Sequence, residues 1–324
     1  MSAVAAPRMS VVLATPDTFA SIRHTVERLA AQTAHAALEL VIVAPSRAAL
    51  AADDALLGAF HRVIVVELGA VAGIGAANAA GVMRASAPVV ALAEDHAFPD
   101  PGWATALIAA HEGPWAAVGP AVRNANPATA VSRADLWIGY APWIAPGEPG
   151  EHAYLPGHNT SYKRAALVAY GERLPAMLDA ETLMHWDLRA RGERLWYEPR
   201  AQIAHANFSL WRSWLPAQFH YGRLFAGVRS HDMSVARRVV YTLGAPLIPP
   251  LRLVRMWRDA RARSAGGAII ACLHALVAGL ALDGLGQMVG YALGAGSAGA
   301  RVSRYEFRRF RHVRPDERGA LWPA

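Results

Sequence analysis

Three groups of side chains in this sequence could do chemistry. Glu94-Asp95-His96 follows directly on the apolar run Pro88–Ala93 (PVVALA). Two carboxylates and an imidazole offer oxygen and nitrogen ligands to a divalent cation. A cation there would neutralise a diphosphate and help it depart. The same triplet also suits a solvated acidic turn, which is common on loops. Glu181 opens a predicted helix after Leu178-Asp179-Ala180, and His185 lies four residues on, along the same face. A carboxylate so placed can draw the proton from an acceptor hydroxyl. It also suits a plain first-turn acid stabilised by the helix dipole. His205 ends the segment that begins at Glu198. Its neutral imidazole suits a metal, although a lone histidine after a strand is more often structural.

The elements that must hold these groups alternate. Met9–Thr15, Leu38–Val43, Arg62–Leu68 and Pro88–Ala93 are short apolar runs that predict strands. Phe19–Gln32, Ala49–His61 and Gly75–Ala85 have helical spacing between them. This alternation predicts a parallel sheet with helices on its faces. Ligands then bind beyond the carboxyl ends of the strands, where Glu94-Asp95-His96 falls. Beyond residue 100 the spacing predicts helices over Ala104–His111 and Ala180–Arg191 and an extended segment over Leu195–Ala204. Residues 117–164 mix short strands with Gly- and Pro-rich loops.

Composition narrows the class. The chain has 324 residues, 54% of them hydrophobic and 18% charged, which excludes a wholly disordered protein. Cys272 is the single cysteine, which excludes a disulfide framework and a zinc site of several thiolates. The start lacks the long apolar core of a signal peptide, so the front is expected in the cytoplasm. The formal charge of +7 divides unevenly. Residues 1–230 carry 18 basic and 19 acidic residues, and residues 231–324 carry 14 and 6. The front is near neutral and the basicity belongs to the back, where it alternates with apolar runs. That pairing points to an anionic membrane surface and away from nucleic acid.

The ordered set of motifs resembles the family 2 glycosyltransferases of the GT-A fold. It comprises the acidic triplet Glu94-Asp95-His96 and the Gly-X-Asn-like Gly157-His158-Asn159, with Lys163 and Arg164 behind it. Glu181 then opens a helix that closes on Arg189-Ala190-Arg191-Gly192, and Pro199-Arg200-Ala201 leads to His205. The resemblance covers roughly residues 9–230. It implies that Glu181 is the catalytic base, with Ala180 in place of the family's usual first acid. It implies that Glu94 and Asp95 hold the donor, and that Asp95, His96 and His205 hold a divalent cation, Mg or Mn. His96 stands where the family has a last aspartate. Gly157 and Asn159 would line the donor pocket, with Pro16 and Asn78 at its nucleotide side. Gly73-Ile74-Gly75 fails as a dinucleotide fingerprint, because Asn78 takes the third glycine's place. The Leu40–Val43 run is followed by Ala44-Pro45-Ser46 with no acid, so no nucleotide base is implied. Trp186 and His185 are candidate acceptor contacts.

Two units are expected: a GT-A-like domain over 1–230 and a basic, apolar helical region over 231–324. Residues 265–282 contain no Asp, Glu, Lys or Arg, which meets the lower limit for a spanning helix. Arginines flank this run on both sides, against the positive-inside tendency of a single span. The preferred reading is monotopic attachment at the cytoplasmic membrane face. A single span and a soluble helical unit that satisfies Asp283 and His274 internally are the other two. The expected partners are a nucleotide-sugar donor, membrane lipids and a lipid-linked or polysaccharide acceptor. A catalytically degenerate scaffold of the same fold is the alternative function.

Overall fold

A computed structural model describes residues 6–323. The strands are β1 (Met9–Ala14), β2 (Leu38–Ala44), β3 (Arg62–Glu67), β4 (Val89–Ala93), β5 (Ala97–Pro99), β6 (Trp115–Asn124), β7 (Gly150–Glu151), β8 (Ser161–Lys163) and β9 (Arg194–His205). The helices of the front are α1 (Phe19–Ala30), α2 (Arg47–Leu50), α3 (Asp54–Leu57), α4 (Ile74–Arg84) and α5 (Trp103–Ala110). Next come α6 (Ala130–Tyr140), α7 (Arg164–Val168), α8 (Leu174–Leu178) and α9 (Glu181–Ala190). The back has α10 (Trp211–Arg229), α11 (Val235–Gly244), α12 (Ile248–Ala262), α13 (Gly266–Ile270), α14 (Leu273–Leu293), α15 (Ala298–Glu306) and α16 (Pro315–Leu321).

One mixed sheet runs in the order β3-β2-β1-β4-β8-β6-β9-β5, with β7 paired to β9. β1 is parallel to β2 and β4, and β2 is parallel to β3. β8 joins antiparallel to β4 and β6. Every residue of β1 and β2 is buried, as a parallel strand covered on both faces requires. The chain steps outward from β1 through β2 to β3 and then returns to place β4 on the other side of β1. That reversal makes a crevice beyond the carboxyl ends of β1 and β4, the place where open α/β sheets bind ligands. The expected α/β class with a helical back is what the chain adopts. The single helix expected over Ala49–His61 is two short ones instead. Ala51 takes a left-handed φ of 49° and Asp53 caps a fresh start, accepting from Leu56 N.

By packing, the chain forms one unit of Met1–Arg123 with Ala145–Ala204 and a second of Asn124–Ile144 with His205–Ala324. The division falls earlier than residue 230 because α10 packs along α14. Glycines let the two backbones touch. A Cβ on Gly222 would overlap the Asp283 carbonyl, and one on Gly286 would overlap the Phe219 carbonyl. The apolar run expected over 265–282 is split between α13 and α14, and the helix long and apolar enough to cross a membrane is Leu273–Leu293. Half of that helix is buried within its own unit. Its carboxylate at Asp283 accepts from Arg252 Nη1 and from Gln287 Nε2, each at 2.8 Å. A buried charge is tolerated when it is paired in this way.

His185 is fully buried on α9, which corrects its expected contact with an acceptor. The same-face spacing with Glu181 holds, but that face turns into the first unit. Leu155 N donates to His185 Nδ1 at 3.3 Å, so the ring proton sits on Nε2 and is shared with Tyr162 Oη at 2.9 Å. Burial pushes the His185 pKa down to about 3, and burial likewise lowers His111 to about 4.

This packing has two measurable consequences. Gly286→Ala forces α10 and α14 apart, at a cost of about 1–3 kcal/mol, and lowers the melting temperature. In the unfolded chain histidine takes up its proton near the ordinary value of 6.5, whereas the folded chain keeps His185 neutral down to about 3. The stability it contributes is therefore complete above pH 6.5 and lost progressively below it. Thermal melts from pH 8 to pH 4 should show this slope, and His185→Gln should be less stable at pH 7 yet lose less stability as the pH falls.

Candidate functional site

The first unit gathers its acids at the carboxyl end of β4. Glu94 follows β4 directly and is buried, with its backbone carbonyl accepting from Thr25 Oγ1 at 3.1 Å. Its side-chain Oε2 accepts from Asn159 Nδ2 at 2.9 Å. Asn159 reaches it from a left-handed backbone (φ 75°), a conformation asparagine tolerates better than most residues. Asn159 N also donates to Leu92 O at 2.6 Å, which ties this loop to β4.

Asp95 and His96 form a second pair. His96 Nδ1 donates to Asp95 Oδ1 at 2.6 Å. The neutral ring then carries its lone pair on Nε2, which lies 3.7 Å from Glu94 Oε2. A cation binds carboxylate oxygen or imidazole nitrogen at about 2.0–2.2 Å, so one ion can bridge two ligand atoms at that separation. The donor set of Glu94 and His96 therefore fits a divalent cation. Asp95, expected as a cation ligand, instead has its Oδ1 engaged by His96 Nδ1, which fixes the orientation of the imidazole.

Glu181 is the first residue of α9 and is buried. His158 Nδ1 lies 2.8 Å from Glu181 Oε1, and His158 Nε2 lies 4.0 Å from Glu94 Oε1. The approach is close at Gly157, where a Cβ would stand 3.0 Å from Glu181 Oε2 and the carboxylate would have to shift slightly. The loop Gly157-His158-Asn159 thus contacts both acids. Just before α9, Asp179 Oδ1 accepts from Gly75 N at 2.9 Å, at the start of α4. A Cβ on Gly75 would run into Asp179 and the Pro175 carbonyl. Burial holds the Asp179 carboxyl above the usual range, opposed by the Gly75 bond and reinforced by Glu181 nearby.

The structure brings Glu94, Asp95, His96, Gly157, Asn159 and Glu181 together in the first unit. Pro16 follows β1, two residues past its end, and Asn78 is buried on α4. Trp186 stands on α9 and is 38% exposed. His205 ends β9 and is buried; its Nδ1 donates to Asn207 Oδ1 at 3.0 Å, which leaves the ring's lone pair on Nε2. Sequence reasoning missed His158 and Asp179. His158 lies between two candidate donor residues, but nothing in its spacing shows that it faces Glu181. Asp179 sits two residues before Glu181, and only the approach of α4 gives it a role.

The family model for glycosyl transferase family 2 matches residues 10–171. No curated protein sequence matches the chain. Among solved structures, GalNAc-T7 with UDP, GalNAc and Mn2+ is similar at a TM-score of 0.51 and 13% identity, covering 83% of this chain and 57% of that one. Residues 1–349 of S. aureus TarS in complex with UDP match at a TM-score of 0.47 and 14% identity, covering 88% of this chain and 91% of that one. The match to half of the chain, over β1 to β4 and the loop that carries His158, makes this protein a member of glycosyl transferase family 2.

Proposed function

We propose that the chain transfers a sugar from a nucleoside-diphosphate donor to an acceptor hydroxyl with inversion at the anomeric carbon. The observation that carries this reading is one loop contacting two buried acids, His158 against Glu181 and Asn159 against Glu94. Membership of family 2 supports the nucleotide-sugar donor. Glu181 takes the proton of the acceptor hydroxyl as the acceptor oxygen bonds to the anomeric carbon. The bond from that carbon to the diphosphate breaks, and its electron pair leaves with the nucleoside diphosphate. His158 holds the Glu181 carboxylate in place. Glu94 and His96 are the proposed cation ligands, with Asp95 orienting His96. His205 is proposed as a further ligand from the Pro199–His205 segment and from its tautomer. When bound, a Mg or Mn ion neutralises the charge that develops on the departing diphosphate.

Gly157, Asn159, Pro16 and Asn78 are proposed to line the donor pocket. Trp186 is proposed to stack on the acceptor sugar, because its ring is exposed on the helix that carries Glu181. His185 has no part in acceptor binding, being buried against Tyr162. The basic, apolar back supports action at the cytoplasmic face of a membrane, on a lipid-linked or polysaccharide acceptor.

Donor turnover over a panel of sugar nucleotides tests the reading. Glu181→Gln should lower kcat by about 100-fold or more. His158→Ala should lower it by about 10- to 100-fold with KM for the donor little changed. Unaltered activity in Glu181→Gln would remove Glu181 from the mechanism, and no turnover of any donor would favour the degenerate scaffold. Chelation should abolish transfer, and added Mg2+ or Mn2+ should restore it in the wild type but poorly in Glu94→Gln. Activity that survives complete chelation would exclude the cation role.

A further inference from the structure

Helix α11 in the second unit has its polarity reversed. Arg238 and Tyr241 turn toward α14. Arg238 Nε and Nη2 donate to the carbonyls of Tyr291 and Ala292 at 3.0 and 2.7 Å, at the end of α14. The Tyr241 ring lies 5.1 Å from that of Tyr291. Its apolar side turns to solvent. Val235, Val239 and Leu243 recur every fourth residue and are 77, 50 and 75% exposed. The backbone stays right-handed helical through Gly244, Ala245, Leu247 and Ile248. The apolar spacing continues along it to Leu247, Leu251 and Val254, which are also exposed. A helix that exposes a continuous row of valines and leucines while Arg238 is drawn toward α14 is arranged for a surrounding less polar than water.

Charge identifies that surrounding. Residues 233–258 contain five arginines and no carboxylate. Arg237, Arg255 and Arg258 are exposed alongside the apolar stripe. A stripe of apolar side chains edged by arginine is the composition of a helix that lies in the interface of an anionic bilayer, with guanidinium groups at the phosphates. α14 is about half buried in its unit and leaves Leu273, Val277, Leu285 and Leu293 exposed, without arginines between them. Its glycines pack on α10, and its Asp283 is paired with Arg252 inside the unit.

We propose that α11 and α12 seat the protein on an anionic lipid bilayer through Val235–Val254 and the arginines beside them, while α14 remains the core helix of its unit. This rests on the reading that the protein works at a membrane face, and it names the surface and the lipid. It replaces the apolar run of α13 and α14 as the contact. An acidic protein or a second copy of the chain would be the other occupants of such a stripe.

The test uses the purified full chain and vesicles of phosphatidylcholine with or without phosphatidylglycerol. Wild-type protein should sediment with the anionic vesicles alone and be released by alkaline carbonate. Leu243→Asp with Leu247→Asp should weaken this binding by about tenfold or more, and Arg255→Gln with Arg258→Gln should remove the preference for anionic lipid. Both variants change exposed residues, so melting temperature and donor turnover in solution should stay at wild-type values. No sedimentation of the wild type, or equal binding by the Leu243/Leu247 variant, overturns the proposal. Carbonate-resistant binding overturns it in favour of α14 as a span, and concentration-dependent self-association without vesicle binding overturns it in favour of a second copy. Donor turnover is read separately, so failure here leaves the sugar-transfer reading standing or falling on its own assay.

Discussion

Two buried carboxylates face one loop, which hydrogen-bonds one of them and sets an imidazole within ion-pair distance of the other. Asn159 donates to Glu94, and His158 lies against Glu181. An unpaired carboxylate in such a place costs several kcal/mol, on the order of the desolvation penalty of an ion. The loop is therefore fixed by the acids as much as the acids are fixed by the loop. Gly157 gives the room, and the left-handed Asn159 gives the turn. Everything else in the first unit serves to bring β4, the loop and α9 to one place.

The sheet does this through its strand order. β4 lies beside β1 because the chain reverses direction across the sheet after β3, and Glu94 leaves β4 at the resulting crevice. β8 follows the loop and pairs with β4 at Val89–Ala91, so the loop is anchored on the strand that carries Glu94. α9 is anchored through Asp179, which accepts from the start of α4, and through His185, which holds Leu155 N at the base of the loop. These bonds restrain the position of Glu181 without touching a substrate.

The second unit solves a different problem with the same chemistry. The long apolar helix α14 buries about half of itself, lying against α10 closely enough that glycines replace side chains at the contact. Its one acid is paired with Arg252 and Gln287. Beside it, α11 and α12 expose a continuous apolar stripe, and Arg238 and Tyr241 of α11 turn toward α14.

The alternation of apolar runs and helical spacing determined the α/β front, because buried parallel strands need unbroken apolar residues and their crossovers need amphipathic helices. The order of Glu94-Asp95-His96, Gly157-His158-Asn159, Glu181 and His205 carried the resemblance to family 2, to which the chain belongs. The charge division located the basicity in the back. Tertiary structure alone decided which neighbours those residues meet. Spacing along a helix puts His185 and Glu181 on one face but does not say that the face turns inward. Adjacency in sequence joins Asp95 to Glu94, yet the pairing that forms is Asp95 with His96. His158 meets Glu181 because a loop more than twenty residues before it folds back onto α9. Hydropathy selects α14 as the helix able to leave water, but burial depends on what packs against it. That contact is made across the chain and leaves no periodic mark in the sequence.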